Sequence, residues 1–132
     1  MKTNTSLIVA IAIGVVTGIS ACKKESDTEK PVIAIAEPTA NDTISLASTD
    51  SIHIEFTASD NEELHEVSVS VTNSAGSSFL SGTEDVDNAV YAYHKHFLPT
   101  GITSPTPFTL RVDASDHSGN EESKTVTFIV VP

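Results

Sequence analysis

The chain has 132 residues, 18 acids against 7 Lys and Arg, a formal charge of −11, one cysteine and no tryptophan. A field of that sign repels nucleic-acid phosphates and anionic lipid headgroups, which excludes nucleic acid as a partner and favours cations and basic protein surfaces. A single cysteine excludes an internal disulfide, so stability must come from one apolar core of ordinary domain size, or from a core plus metal.

Met1 to Ser6 carries one Lys and no acid, residues 7–16 form an apolar run, and Thr17, Gly18, Ile19, Ser20 and Ala21 follow. This charged, apolar, small-residue order is that of a secretory signal. The run is shorter than the roughly 20 residues that a membrane-crossing helix needs, so cleavage is expected rather than a transmembrane anchor. Ile19-Ser20-Ala21-Cys22 resembles the lipobox of bacterial lipoproteins, in which an aliphatic residue and two small ones precede the acylated cysteine. The resemblance implies a signal peptide over residues 1–21, a lipid on Cys22 and a membrane as partner. The competing reading of Cys22 is a free thiol in an exported chain. Two or three acyl chains anchor stably where one is marginal. Lys23 stands where some lipoproteins carry an aspartate that retains them in the inner membrane. By that resemblance, Lys23 implies the outer membrane of the cell envelope, facing either the periplasm or the exterior.

Residues 22–30 are charged, contain no aliphatic or aromatic side chain and stop at Pro31. They read as a lipidated, solvated tether, which leaves residues 31–132 as one domain. Val32 to Ala36 has a mixed pattern suited to an edge strand. Ile52, Ile54, Phe56 and Ala58 alternate with Ser51, His53, Glu55 and Thr57, the clearest period of two in the chain. Val67, Val69 and Val71 repeat it before a turn over residues 73–76. Residues 86–98 contain a further strand. Phe108, Leu110, Val112 and Ala114 form the next, and Val126, Phe128 and Val130 the last, after a turn cluster over residues 116–120. No apolar period of 3.6 is long enough for a helix. About seven short strands over about 100 residues predict an all-β, antiparallel β-sandwich.

The segments Thr57-Ala58-Ser59-Asp60-Asn61-Glu62-Glu63-Leu64 and Arg111-Val112-Asp113-Ala114-Ser115-Asp116-His117-Ser118-Gly119-Asn120 resemble the B–C and F–G regions of bacterial immunoglobulin-like and cadherin-like repeats. In those, strands end in Ala-x-Asp and the last hairpin often reads Asp-x-x-Gly-Asn. With the lipobox, the whole is similar to small bacterial lipoproteins that carry one such domain. The resemblance implies an immunoglobulin-like fold and no particular function. The antibody-type Cys-Trp-Cys core is absent.

Three constellations could carry chemistry. Asp60, Asn61, Glu62 and Glu63 after one strand, and Asp113, Asp116, Asn120 and Glu121 around another, supply hard oxygens for calcium, because B–C and F–G loops lie at one end of a sandwich. Asp60, Glu62, Asp113 and Asp116 are the candidate ligands; the alternative is that these are turn formers and solvated charges. His94 and His96, two apart in a strand, share a face and can reach one zinc or copper ion if a neighbouring strand adds a ligand, for which His53 is the best candidate. The alternative turns Tyr91, Tyr93 and Phe97 inward and leaves the histidines as polar surface; the parity is ambiguous, since Val90, Ala92 and Leu98 share the histidines' side. Tyr91 and Tyr93 are the remaining platform for a glycan. No nucleophile elbow, phosphate-cradling glycine loop or zinc-protease helix is present, so the chain is expected not to be an enzyme. The expectation is a membrane-anchored, non-catalytic binding, accessory or spacer module that presents its acidic loops to a protein or glycan, with metal binding as the alternative.

Overall fold

The structure is a computed structural model that describes residues 25–132. The expected signal segment, Cys22 and its two following residues lie outside the described residues. Eight strands form in chain order: β1 Val32–Glu37, β2 Thr43–Ser45, β3 Ile52–Ser59, β4 Leu64–Asn73, β5 Ser78–Asp85, β6 Val90–Phe97, β7 Thr106–Asp116 and β8 Glu121–Val131. They make two sheets, one ordered β1-β3-β6 and the other β2-β8-β7-β4-β5. Every pairing is antiparallel except that of β2 with β8, which is parallel. The all-β sandwich is thus as expected, and its topology is immunoglobulin-like.

Alternation along each strand decides what lies between the sheets. Ile52, Ile54, Phe56 and Ala58 of β3 are each at most 1% exposed, and Phe108, Leu110 and Val112 of β7 are fully buried. Their odd-numbered neighbours on β3, His53, Glu55 and Thr57, are exposed. Val67, Val69 and Val71 of β4 and Phe128 and Val130 of β8 complete the opposite wall. Each large apolar side chain removed from water contributes about 1.5–3 kcal/mol, so a one-residue slip in β3 or β7 would expose the whole row at once.

Two strands escape the sequence reading. β2 is three residues long, too short to display a period. After β1 the chain leaves the smaller sheet, passes a cis Glu37–Pro38 bond and a left-handed Asn41 (φ 66°), and crosses to the edge of the larger sheet. There the Asn41 N–H donates to the Thr127 carbonyl at 2.8 Å. β5 is an edge strand whose only buried residue is Leu80, so it shows no alternating row. In residues 86–98 the strand itself is β6, and residues 86–89 link it to β5.

At one end of the sandwich lie the segment before β1 and the β3–β4, β5–β6 and β7–β8 connections. At the other lie the β1–β2, β2–β3, β4–β5 and β6–β7 connections. The turn after β7 uses Gly119 at φ 89°, a left-handed conformation that costs other residues strain. It holds the chain so that the Asp116 N–H donates to the Asn120 carbonyl at 3.1 Å.

Candidate metal centres

At the end that holds the segment before β1, the inward row of β3 runs Ile52, Ile54, Phe56, Ala58 and then Asp60. The inward row of β7 runs Phe108, Leu110, Val112, Ala114 and then Asp116. In both, Ala-Ser-Asp closes the row, so a small residue is followed by a carboxylate at the edge of the core. Asp116 is 3% exposed. Its Oδ1 accepts the Asn120 backbone N–H at 2.7 Å and its Oδ2 the Asn120 side-chain amide at 2.6 Å. Burial pushes its carboxyl up, and the amide donors of Asn120, Gly119 and Ser118 outweigh that and hold it below the ordinary value.

Asp27, in the segment before β1, folds onto the same end. Its carbonyl accepts the Asn120 Nδ2 donor at 3.2 Å, and its Oδ1 accepts the Glu29 N–H at 2.9 Å. Asp60 Oδ1 likewise accepts the Glu62 N–H at 3.0 Å. One carboxylate oxygen from each of Asp27, Asp60 and Asp116 lies within 4.8 Å of the other two. The second oxygens of Asp27 and Asp60 are buried and have no hydrogen-bond partner. Three carboxylates that converge at the edge of the core, two half-buried and one buried, repel one another, and an unpartnered buried carboxylate oxygen is costly. A hard cation relieves both, and three carboxylates supply three to six of the roughly six to eight oxygens that calcium takes.

Of the sequence-stated candidates, Asp60 and Asp116 are brought together, and Glu62, with Glu63, His117 and Ser118, borders the surface depression beside them. Asp113 is not among them. Three residues before Asp116, it has the opposite parity and lies on the outer face of the larger sheet. There Arg111 donates to it through Nε at 2.8 Å and Nη2 at 2.6 Å, and the Ser123 hydroxyl donates at 2.7 Å. The Arg111 hydrogen bonds hold the Asp113 carboxyl below its ordinary value against the effect of partial burial, with help from Ser123. Asp27 was missed because it sits in a segment with no periodicity. The one local signal, its two-residue Asx turn with Glu29, is shared by many loop residues.

The second centre lies on the outer face of the smaller sheet. The parity of β6 is now settled: Tyr91, Tyr93 and Phe97 pack against the core, and His94 and His96 are exposed. His53 is the register partner of His96, and Glu55 that of His94. The His53 and His96 rings meet edge-on with centroids 4.0 Å apart, and those of His94 and His96 are 4.7 Å apart. One nitrogen from each of the three lies within 4.8 Å of the others. Glu37 places Oε2 3.5 Å from His53 Nδ1, and the Ser51 hydroxyl lies 3.1 Å from His96 Nδ1. Partial desolvation and the neighbouring His53 and His94 lower the tendency of His96 to take a proton, against an opposing pull from Glu37. The remaining two histidines pair elsewhere: His65 and His117 have centroids 4.7 Å apart, and His117 Nε2 lies 3.2 Å from Asp87.

The tyrosines do not form an outer platform. Tyr93 stacks on Phe56 at 4.8 Å with the planes 16° apart, and Tyr91 is tilted against the same ring at 6.4 Å. Burial raises both phenols above their ordinary value, and the charge of Glu84 adds to it.

No protein-family profile and no curated protein sequence matches the chain. Among solved structures it is similar to the E. coli chaperone DraB (TM-score 0.52, 9% identity, covering 79% of this chain and 56% of that one). It is also similar to the periplasmic chaperone SfaE (TM-score 0.52, 9% identity, covering 76% of this chain and 57% of that one). The chain therefore spans just over half the length of each. At 9% identity the likeness is one of fold, an immunoglobulin-like β-sandwich.

Proposed function

We propose that this chain is a lipid-anchored, non-catalytic immunoglobulin-like module of the bacterial cell envelope, whose anchored end is clamped by calcium. The observation that carries the reading is the convergence of Asp27, Asp60 and Asp116 with two buried, unpartnered carboxylate oxygens. Asp27 belongs to the tether, whereas Asp60 and Asp116 end the inward rows of β3 and β7. A cation shared by all three ties the tether to both sheets and fixes the direction in which the domain leaves the membrane.

The same geometry changes the part played by the acidic loops. Asp27 is five residues from Cys22, at most about 17 Å of extended chain. With a lipid on Cys22, the β3–β4 and β7–β8 loops stay close to the bilayer, and the surfaces free to meet a protein partner are the far end and the outer sheet faces. Neighbours that are chaperones, one of them periplasmic, accord with an envelope role for the fold. Fold likeness of this kind names no partner.

The test is thermal unfolding of the full chain in detergent, first with a calcium chelator and then with calcium. A ligand that binds only the folded state raises the transition, by about 2.7 kcal/mol of stability at 100 times its dissociation constant. Calcium is expected to raise the wild-type midpoint and to leave an Asp27→Asn, Asp60→Asn variant unmoved. In chelator that variant should be at least as stable as wild type, because the repulsion is gone. No wild-type shift with calcium would sink the clamp. For the anchor, Cys22→Ser should move the chain from the membrane to the soluble fraction of its host; retention in the membrane would count against lipidation.

A further inference from the structure

We infer that His53, His94 and His96 form a surface site for a divalent transition-metal ion, zinc or copper, on the outer face of the smaller sheet. The site is distinct from the carboxylate cluster. Its donors are neutral imidazoles, which suit zinc and copper, whereas the carboxylates suit calcium and magnesium. It also stands whether or not calcium binds, because β3 and β6 hold the histidines by their own register.

The backbone places the three side chains with little freedom. His53 and His96 are direct cross-strand partners, whose Cβ atoms lie about 4.5–5.5 Å apart in any antiparallel pair. His94 is two residues from His96 on the same face, about 6.6 Å along the strand. Tetrahedral zinc, with Zn–N of about 2.0–2.1 Å, needs nitrogens about 3.3 Å apart. The present spread of up to 4.8 Å closes to that by small turns of exposed rings, with no backbone movement.

Two further contacts point to ligation rather than to three histidines that merely share a surface. Metal-bound imidazoles usually give their second nitrogen to a carboxylate or another oxygen, which fixes ring orientation and tautomer. Here Glu37 stands beside His53 Nδ1 at 3.5 Å and the Ser51 hydroxyl beside His96 Nδ1 at 3.1 Å. In the tautomer whose Nδ1 proton points to these oxygens, Nε2 is the lone-pair donor. All three histidines are exposed and add nothing to the core. Three protein ligands leave a fourth position open to water or to a donor from another molecule. An ion in such a site exchanges by ligand substitution, which fits capture and hand-over better than a structural role.

The experiment is titration of the full chain, made without a histidine tag, with Zn2+ and separately with Cu2+, in the presence of excess calcium so that the carboxylates are occupied. Wild type is expected to take one tightly bound equivalent of either ion, with copper giving a visible imidazole-type absorption. His94→Ala, His96→Ala should weaken binding at least about 100-fold, since losing even an outer-shell partner costs about 10–100-fold. Glu37→Gln, which keeps all three ligands, should weaken it about 10-fold. A His65→Ala, His117→Ala variant and the Asp27→Asn, Asp60→Asn variant should both bind as wild type does. The proposal is overturned if wild type takes neither ion, if the His94, His96 double variant binds unchanged, or if the loss follows His65 and His117 instead. A circular dichroism spectrum shared by all variants separates lost ligation from lost fold.

Discussion

The carboxylate cluster and the histidine cluster occupy the two ends of one strand, β3, and are built by opposite rules. Asp60 lies just beyond the end of β3 and His53 near its beginning, about 23 Å apart along the chain direction. Asp60 and Asp116 extend inward rows and Asp27 joins them from the segment before β1, so three segments far apart in sequence are drawn together at the edge of the core. The histidines stand on the outward row, come from two neighbouring strands, and remain in water. The difference teaches that the first site is part of how the fold is held and the second is carried by a fold that does not need it. Side chains at the first are committed by burial and by amide donors; at the second only strand register and a few orienting contacts hold them.

Breaking the inward end should cost most. Asp116→Ala strands the Asn120 backbone and side-chain donors that now reach its carboxylate. It should lose about 2–3 kcal/mol in urea unfolding with calcium present, through a lower midpoint and an unchanged slope. A loss within about 0.5 kcal/mol, the usual scale of a surface change, would mean that this end is not organised around Asp116.

Asp113 sharpens the comparison, being close to Asp116 in sequence yet outside its cluster. Its folded-state carboxyl is held below the ordinary value by Arg111. A depressed acid contributes stability at pH values above its unfolded value of about 3.9, and that contribution is lost as pH falls through the folded value. Asp113 is partly exposed, so Asp113→Asn should cost only about 0.2–1 kcal/mol at neutral pH. The cost should shrink as pH falls below about 4 and vanish below the folded value, and the calcium response at neutral pH should stay intact. Loss of that response would put Asp113 into the cation site after all.

The smallest effect is expected on the outward face. Replacing His53, His94 and His96 together by Ala, in chelator, should change stability by no more than about 0.5 kcal/mol. Urea midpoints of variant and wild type would then coincide. A cost of several kcal/mol would make the rings part of the fold and erase the contrast between the two ends.

Local alternation made much of this molecule legible in the sequence. The rows Ile52 to Ala58, Val67 to Val71, Phe108 to Ala114 and Val126 to Val130 announced the main strands and their buried faces, because a pleated strand turns successive side chains to opposite sides. The same rule put His53 outward and Asp113 opposite the row Phe108 to Ala114. Yet the sequence reading still grouped Asp113 with Asp116 as ligands of one site, because the strand's end, and so the parity of Asp116, was not legible. Alternation could not settle the parity of β6. Val90 and Leu98, 59% and 56% exposed, share the histidines' side, and only the packing of Tyr91 and Tyr93 against Phe56 decided which side faces in. Nor could it find β2 and β5, whose pairing comes from the crossing between sheets and from an edge position rather than from a pattern of their own. Asp27 was decided by tertiary structure alone: its place beside Asp60 and Asp116 depends on where the chain before β1 meets the end of the sandwich, and no period carries that information. Sequence alone determined which residues face the core in β3, β4, β7 and β8, where a clean alternating row exists, since that follows from one backbone and its nearest neighbours. Which distant segments share a site was decided only when the two sheets closed on each other, because that contact depends on every strand at once.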